Sequence, residues 1–76
     1  MLRVLHTEET YGIRTAILAG TREEVTRAEG LVRRSSGGVG ARLPSLSFDP
    51  NRLLVEVAKG DAGLKYLDKL VREARL

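Results

Sequence analysis

The chain has no cysteine, no tryptophan and a single histidine, and its only aromatic residues are Tyr11, Phe48 and Tyr66. Each shortage removes a class of explanation. Without cysteine no disulfide can staple the fold. One histidine, with no CxxC or HxxxH spacing, leaves nothing on which to build a structural zinc site. Three rings are too few for stacking-based recognition of single-stranded nucleic acid, which needs several exposed aromatic platforms. No apolar run approaches the roughly 20 residues that span a bilayer. The opening MLRVLHTEET carries charges inside its short apolar stretch and lacks a signal-peptide cleavage site. The cytoplasm is therefore the expected compartment, with no membrane partner and no cofactor.

What is present is a chain of 76 residues, 42% hydrophobic and 30% charged, which suits one folded domain over residues 1–76 and leaves no room for a second core. Domains of this size bury only about 60–65% of the surface their unfolded chains expose. With disulfides and metal excluded, self-association is the remaining common route to added stability. The net charge of +3 permits contact with nucleic acid without requiring it.

Periodicity supplies the elements. Leu2, Val4 and His6 alternate over a first strand, residues 1–7, and Thr7–Thr10 reads as a turn. A second strand follows from Tyr11 to Ala19. Gly20 ends it, and Thr21-Arg22-Glu23-Glu24 is a capping box for a helix whose apolar stripe is Val25, Ala28, Leu31 and Val32. Gly30 inside that helix suggests close packing on a sheet. The serine- and glycine-rich segment SSGGVGAR, residues 35–42, leads into a third strand from about Ala41 to Phe48. Pro44 demotes that strand to an edge. The strongest local signal is Asp49-Pro50-Asn51-Arg52, a turn in which Asp49 bonds its own backbone and Pro50 presets φ. Leu53, Val55 and Val57 then alternate on a fourth strand. Asp61 is placed to cap a second helix carrying Leu64, Leu67, Leu70, Val71 and Ala74 on one face. The order ββαββα implies an α+β two-layer sandwich, an antiparallel four-stranded sheet with two helices on one face.

Two surfaces stand out. If Ile13, Ile17, Val55 and Val57 face the helices, then Ala16, Leu18, Leu54 and Ala58 form an apolar patch on the other sheet face, with Arg14 and Glu56 interleaved. Such patches mark partner surfaces, and a homodimer is the expected assembly. The second is the arginine- and glycine-bearing stretch with Arg33, Arg34, Gly37, Gly38, Gly40 and Arg42. There, backbone N–H groups and guanidinium groups could hold a phosphate or other anion. Its GGVG is similar to the G-x-x-G loop of KH nucleic-acid-binding domains, although in those the loop joins two helices, and here it leads into a strand containing Pro44. An ordinary helix C-terminus with dipole-compensating arginines explains the same residues.

Catalytic signals are sparse. His6 beside Glu8 and Glu9 has the form of a base oriented by a carboxylate, yet no serine lies in a nucleophile motif. The glutamate pairs 8–9 and 23–24 have structural explanations at a turn and a helix start. The sequence therefore favours a non-enzymatic, self-associating binding or regulatory module. Its rivals are a nucleic-acid-binding protein using the loop and helix arginines, and a small enzyme with a site assembled between subunits.

Overall fold

Strand β1 spans Arg3–Thr10 and strand β2 spans Ile13–Ala19 in the computed structural model of this chain, leaving Tyr11 and Gly12 as a two-residue connection. The structure describes residues 1–35, 41, 43 and 49–76. Both linking residues have positive φ, 52° at Tyr11 and 82° at Gly12. That is the signature of a type I′ turn, whose twist matches that of the strands it joins. β1 thus runs through the expected turn at Thr7–Thr10, because Thr7, Glu8 and Glu9 pair with Ala16, Thr15 and Arg14 of β2. Gly12 adopts its φ without steric cost, but Tyr11 does not, and its side chain is fully exposed at 100%. Tyr11→Asn is therefore expected to stabilise the fold by about 1 kcal/mol, since asparagine tolerates the left-handed region. Thermal unfolding should show this as a Tm rise of about 4–8 °C; an unchanged or lower Tm would mean that Tyr11 contributes a contact the hairpin needs.

Helix α1 spans Arg22–Ser35, strand β3 spans Arg52–Ala58 and helix α2 spans Asp61–Ala74. The sheet order is β1-β2-β3, antiparallel throughout. The fold is thus α+β, but it is not the four-stranded ββαββα arrangement the sequence suggested. Among the described residues there are three strands and two helices, in the order ββαβα. The neighbour of β3 follows from where the Asp49–Arg52 turn docks. The turn itself is as expected: the Asn51 N–H donates to Asp49 Oδ1 at 2.9 Å, and the Arg52 N–H donates to the Asp49 carbonyl at 3.1 Å. Asn51 is also clamped to the residue that follows β2. The Gly20 N–H donates to the Asn51 carbonyl, and Asn51 Nδ2 donates to the Gly20 carbonyl, each at 3.1 Å. A chain leaving a turn fixed there runs back along β2, and β3 pairs with β2 from Ala19↔Arg52 to Ile13↔Ala58. The expected strand at 41–48 falls almost wholly outside the described residues.

Both helices lie on one face of this sheet. Ala16 and Leu18 of β2 and Leu53, Val55 and Val57 of β3 meet Val25, Ala28 and Val32 of α1 and Leu67, Leu70, Val71 and Ala74 of α2. α1 begins with the expected capping box: the Glu24 N–H donates to Thr21 Oγ1 at 3.2 Å, and the Thr21 N–H donates to Glu24 Oε1 at 3.0 Å. α2 departs from expectation at its start. Its N-cap is Gly60, with no side-chain cap, and Asp61 is the first helical residue, where its charge still suits the helix dipole. Leu64 is 47% exposed, while Gly63 is buried. The close approach expected of Gly30 occurs at Gly63 instead. An added Cβ at Gly30 would have nothing within 4 Å, whereas at Gly63 it would meet the Ala58 carbonyl oxygen at 1.8 Å.

Candidate functional site

The helices cover one face of the sheet, and among the described residues no element packs on the other, which is called the open face. Residue pairing fixes which side chains share that open face, since directly opposed residues project the same way. On β2 Ala16 and Leu18 join the core at 0% exposure, so Ile13, Thr15, Ile17 and Ala19 point away from the helices, Ala19 being buried at 8% exposure but outside the core cluster. On β3 the buried set is Leu53, Val55 and Val57, so Arg52, Leu54, Glu56 and Ala58 share the open face. On β1 the register shifts between Val4 and His6. This bulge places Val4 opposite Leu18 on the helix side and His6 opposite Ile17 on the open side.

The open face is therefore a small grid of cross-strand rows. Arg3, Ala19 and Arg52 form the first, His6, Ile17 and Leu54 the second, Glu8, Thr15 and Glu56 the third, and Ile13 lies opposite Ala58 beyond them. Ile13 is 39% exposed, and Ile17, Leu54 and Ala58 are half-buried. An apolar centre is thus bounded along the strands by a cationic row and an anionic row.

Several sequence expectations change on this grid. Leu54, Glu56 and Ala58 lie on the open face, as the alternation on β3 implied. Arg14, Ala16 and Leu18 do not. Ala16 and Leu18 are core, and Arg14 lies on the helix side at the end of the hairpin, opposite Val57, where it pairs with Glu9. β2 is apolar at both odd and even positions, so its pattern alone could not say which set faced inward. The second strand's contribution to the surface is Ile13, Thr15 and Ile17. His6 is also displaced from its expected place with Leu2 and Val4, because the bulge inserts Leu5 and reverses the alternation.

The arginine- and glycine-bearing set is not drawn together by the described residues. Gly37, Gly38, Gly40 and Arg42 lie outside them. Arg33 pairs with Glu29 one turn back along α1 at 2.7 Å, and Arg34 Nε donates to the Gly30 carbonyl at 3.3 Å. Arg34 also lines a groove of about 190 Å³ between α1 and α2, where Leu31, Tyr66 and Leu70 supply apolar surface and Lys69 and Glu73 opposite charges. Among the described residues, no group of three or more histidine, aspartate or glutamate side chains could hold a metal ion. No described helix is long and apolar enough to cross a membrane.

One constellation escaped sequence reading beyond its local part. The Glu24 side chain, 2% exposed, accepts from the backbone N–H groups of Leu2 at 3.0 Å, Thr21 at 3.0 Å and Leu76 at 3.2 Å, and lies 3.5 Å from the terminal amino group of Met1. Arg75 Nε reinforces the same junction by donating to the Leu2 carbonyl at 3.1 Å. Only the Thr21 contact had a sequence signature. The others join residues 22 and 52 positions apart. This box closes the fold and offers no open position for a substrate.

No protein-family model, no curated protein and no solved structure matches this chain. The functional reading therefore rests on the geometry alone.

Proposed function

We propose that the chain is a non-enzymatic, self-associating module whose contact surface is the open sheet face. The observation that carries this reading is the grid itself. Ile17 and Leu54 sit at the centre of a face that also bears Ile13 and Ala58, and charges of both signs frame them: Arg3 and Arg52 on one side, Glu8 and Glu56 on the other. A polyanion such as nucleic acid would call for one sign of charge. A second copy of the same face supplies both.

Size sets the strength of the contact. Three strands about 4.8 Å apart and seven residues long present a rectangle of roughly 14 by 23 Å. Two such faces together cover roughly 640 Å², below the size of a stable specific interface, so the contact is a weak one. Association is therefore expected to be concentration-dependent, a modest aid to a small domain without a disulfide.

Light scattering across a concentration series tests the proposal. The parent is expected to move from 8.3 kDa towards twice that mass as concentration rises through the micromolar range. Ile17→Glu places a carboxylate at the centre of the contact, off the core, and should hold the chain at the monomer mass with unchanged circular dichroism. A parent that stays monomeric at several hundred micromolar, or an Ile17→Glu variant that associates as the parent does, would sink the proposal.

A further inference from the structure

The order of charges on the open face also specifies how two copies meet, an inference that rests on the self-association reading. Arg3 and Arg52 flank Ala19 in one row, and Glu8 and Glu56 flank Thr15 in another, with the His6–Ile17–Leu54 row midway between them. Ala19 and Thr15 are four residues apart on β2, so the two charged rows are about 13 Å apart. Arg3 and Glu8 do not pair with each other within one chain, and neither has an ion-pair partner among the described residues.

Two identical sheets stacked face to face with roughly aligned strands have two symmetric choices. A two-fold axis parallel to the strands exchanges β1 with β3 and leaves each row over itself. Arg3 then faces Arg52, and Glu8 faces Glu56, with like charges at every corner. A two-fold axis running across the strands through the central row keeps β1 over β1 and exchanges the outer rows. Arg3 then faces Glu8 of the second copy, Arg52 faces Glu56, and Ile17 and Leu54 each meet their own counterparts. Packed sheets lie about 10 Å apart, a gap that an arginine and a glutamate side chain together can span.

We infer that two copies of the chain pack open face to open face with their strands antiparallel, about a two-fold axis through the His6–Ile17–Leu54 row. The contact is isologous, and four inter-chain ion pairs set its register. Like-charge opposition excludes the alternative orientation more firmly than the apolar centre favours either one.

Charge reversal on β1 tests this without disturbing Arg52, which also pairs with Asp49 at 3.6 Å. Arg3 and Glu8 are both exposed, so the variants should retain the parent's circular dichroism. Each single reversal, Arg3→Glu or Glu8→Arg, creates two like-charge contacts per dimer and should weaken association about tenfold at low salt. The double reversal restores opposition of unlike charges and should return the dissociation constant to within about threefold of the parent. Arg3→Gln, which removes the charge alone, should cost about threefold. If Arg3→Glu tightens the dimer, Arg3 meets a cation and the strands run parallel. If the double reversal is as weak as the two singles combined, Arg3 and Glu8 do not face each other. Either result overturns the orientation while leaving self-association standing, whereas a parent that never dimerises overturns both.

Discussion

Gly63→Ala is expected to destabilise the protein by about 3 kcal/mol or more, a large share of the total for a domain of this length. The cause is backbone, not side-chain, crowding. A Cβ at residue 63 would sit 1.8 Å from the Ala58 carbonyl oxygen, 2.9 Å from the Ala58 carbonyl carbon and 3.1 Å from Val57 Cγ2. Ala58 is the last residue of β3 and Gly63 lies in the first turn of α2, so neither backbone can yield alone. Relief requires the start of the helix to lift off the strand, which shifts Leu67, Leu70 and Val71 out of register with the core they fill. Thermal denaturation should show a Tm lower by roughly 15 °C or more. A loss under about 3 °C would show that α2 does not need the close approach to seat its apolar face.

That glycine also shows where sequence reading reached its limit. Of the two helical glycines, Gly30 interrupts the clearer apolar pattern and draws attention, yet its Cβ direction is open. Gly63 sits one residue before Leu64, which completes a plausible stripe with Leu67 and Val71, and periodicity favoured the leucine. The helix is rotated enough for Gly63 to be buried and Leu64 exposed, because a helix reaching a strand end this closely has no space for a side chain at the point of contact. What was legible was local chemistry. The Thr21–Glu24 box and the Asp49–Asn51 turn involve residues at most three apart, and both formed as their residue types dictate.

What could not be read was any choice between equal patterns or between distant partners. β2 offers apolar residues on both faces, so burial of Ala16 and Leu18 in place of Ile13 and Ile17 is settled by pairing with β3 and by the helices above. β1 changes phase at Leu5, where no glycine or proline marks the bulge. The neighbour of β3 was hidden for a related reason. The alternation at Leu53, Val55 and Val57 was correct, but alternation does not name a neighbour, and the Asn51–Gly20 clamp assigns that strand to β2. The candidate surface follows the same division: its β3 half could be read from the sequence, and its β2 half had to wait for the register.

Glu24→Gln is expected to be the most damaging near-isosteric change in the protein and to alter its acid response. The carboxylate accepts from three backbone N–H groups and lies beside the terminal ammonium group, and it has no donor of its own to place. A glutamine must replace one oxygen with an NH₂ group. In one orientation that NH₂ opposes the N–H groups of Leu2 and Leu76; in the other it opposes that of Thr21 and the ammonium group. Either way buried donors face a donor, and a Tm loss of roughly 10 °C or more should follow. Glu24 holds its carboxyl at about 2 instead of the ordinary 4.5; the Thr21 N–H bond is the largest cause, those from Leu2 and Leu76 and the positive terminus add to it, and burial opposes it. A group whose folded-state pKa is depressed contributes stability that is fully present above the unfolded value and is lost as pH falls through the folded one. The parent should therefore lose stability progressively from about pH 4.5 to about pH 2. Glu24→Gln, already lacking the charge, should show a shallower slope across that window while starting from a lower plateau. Equilibrium denaturation at a series of pH values measures both. Parallel curves for parent and variant below pH 4.5 would mean that other carboxylates, not the one joining β1, α1 and the end of the chain, set the acid limit of the fold.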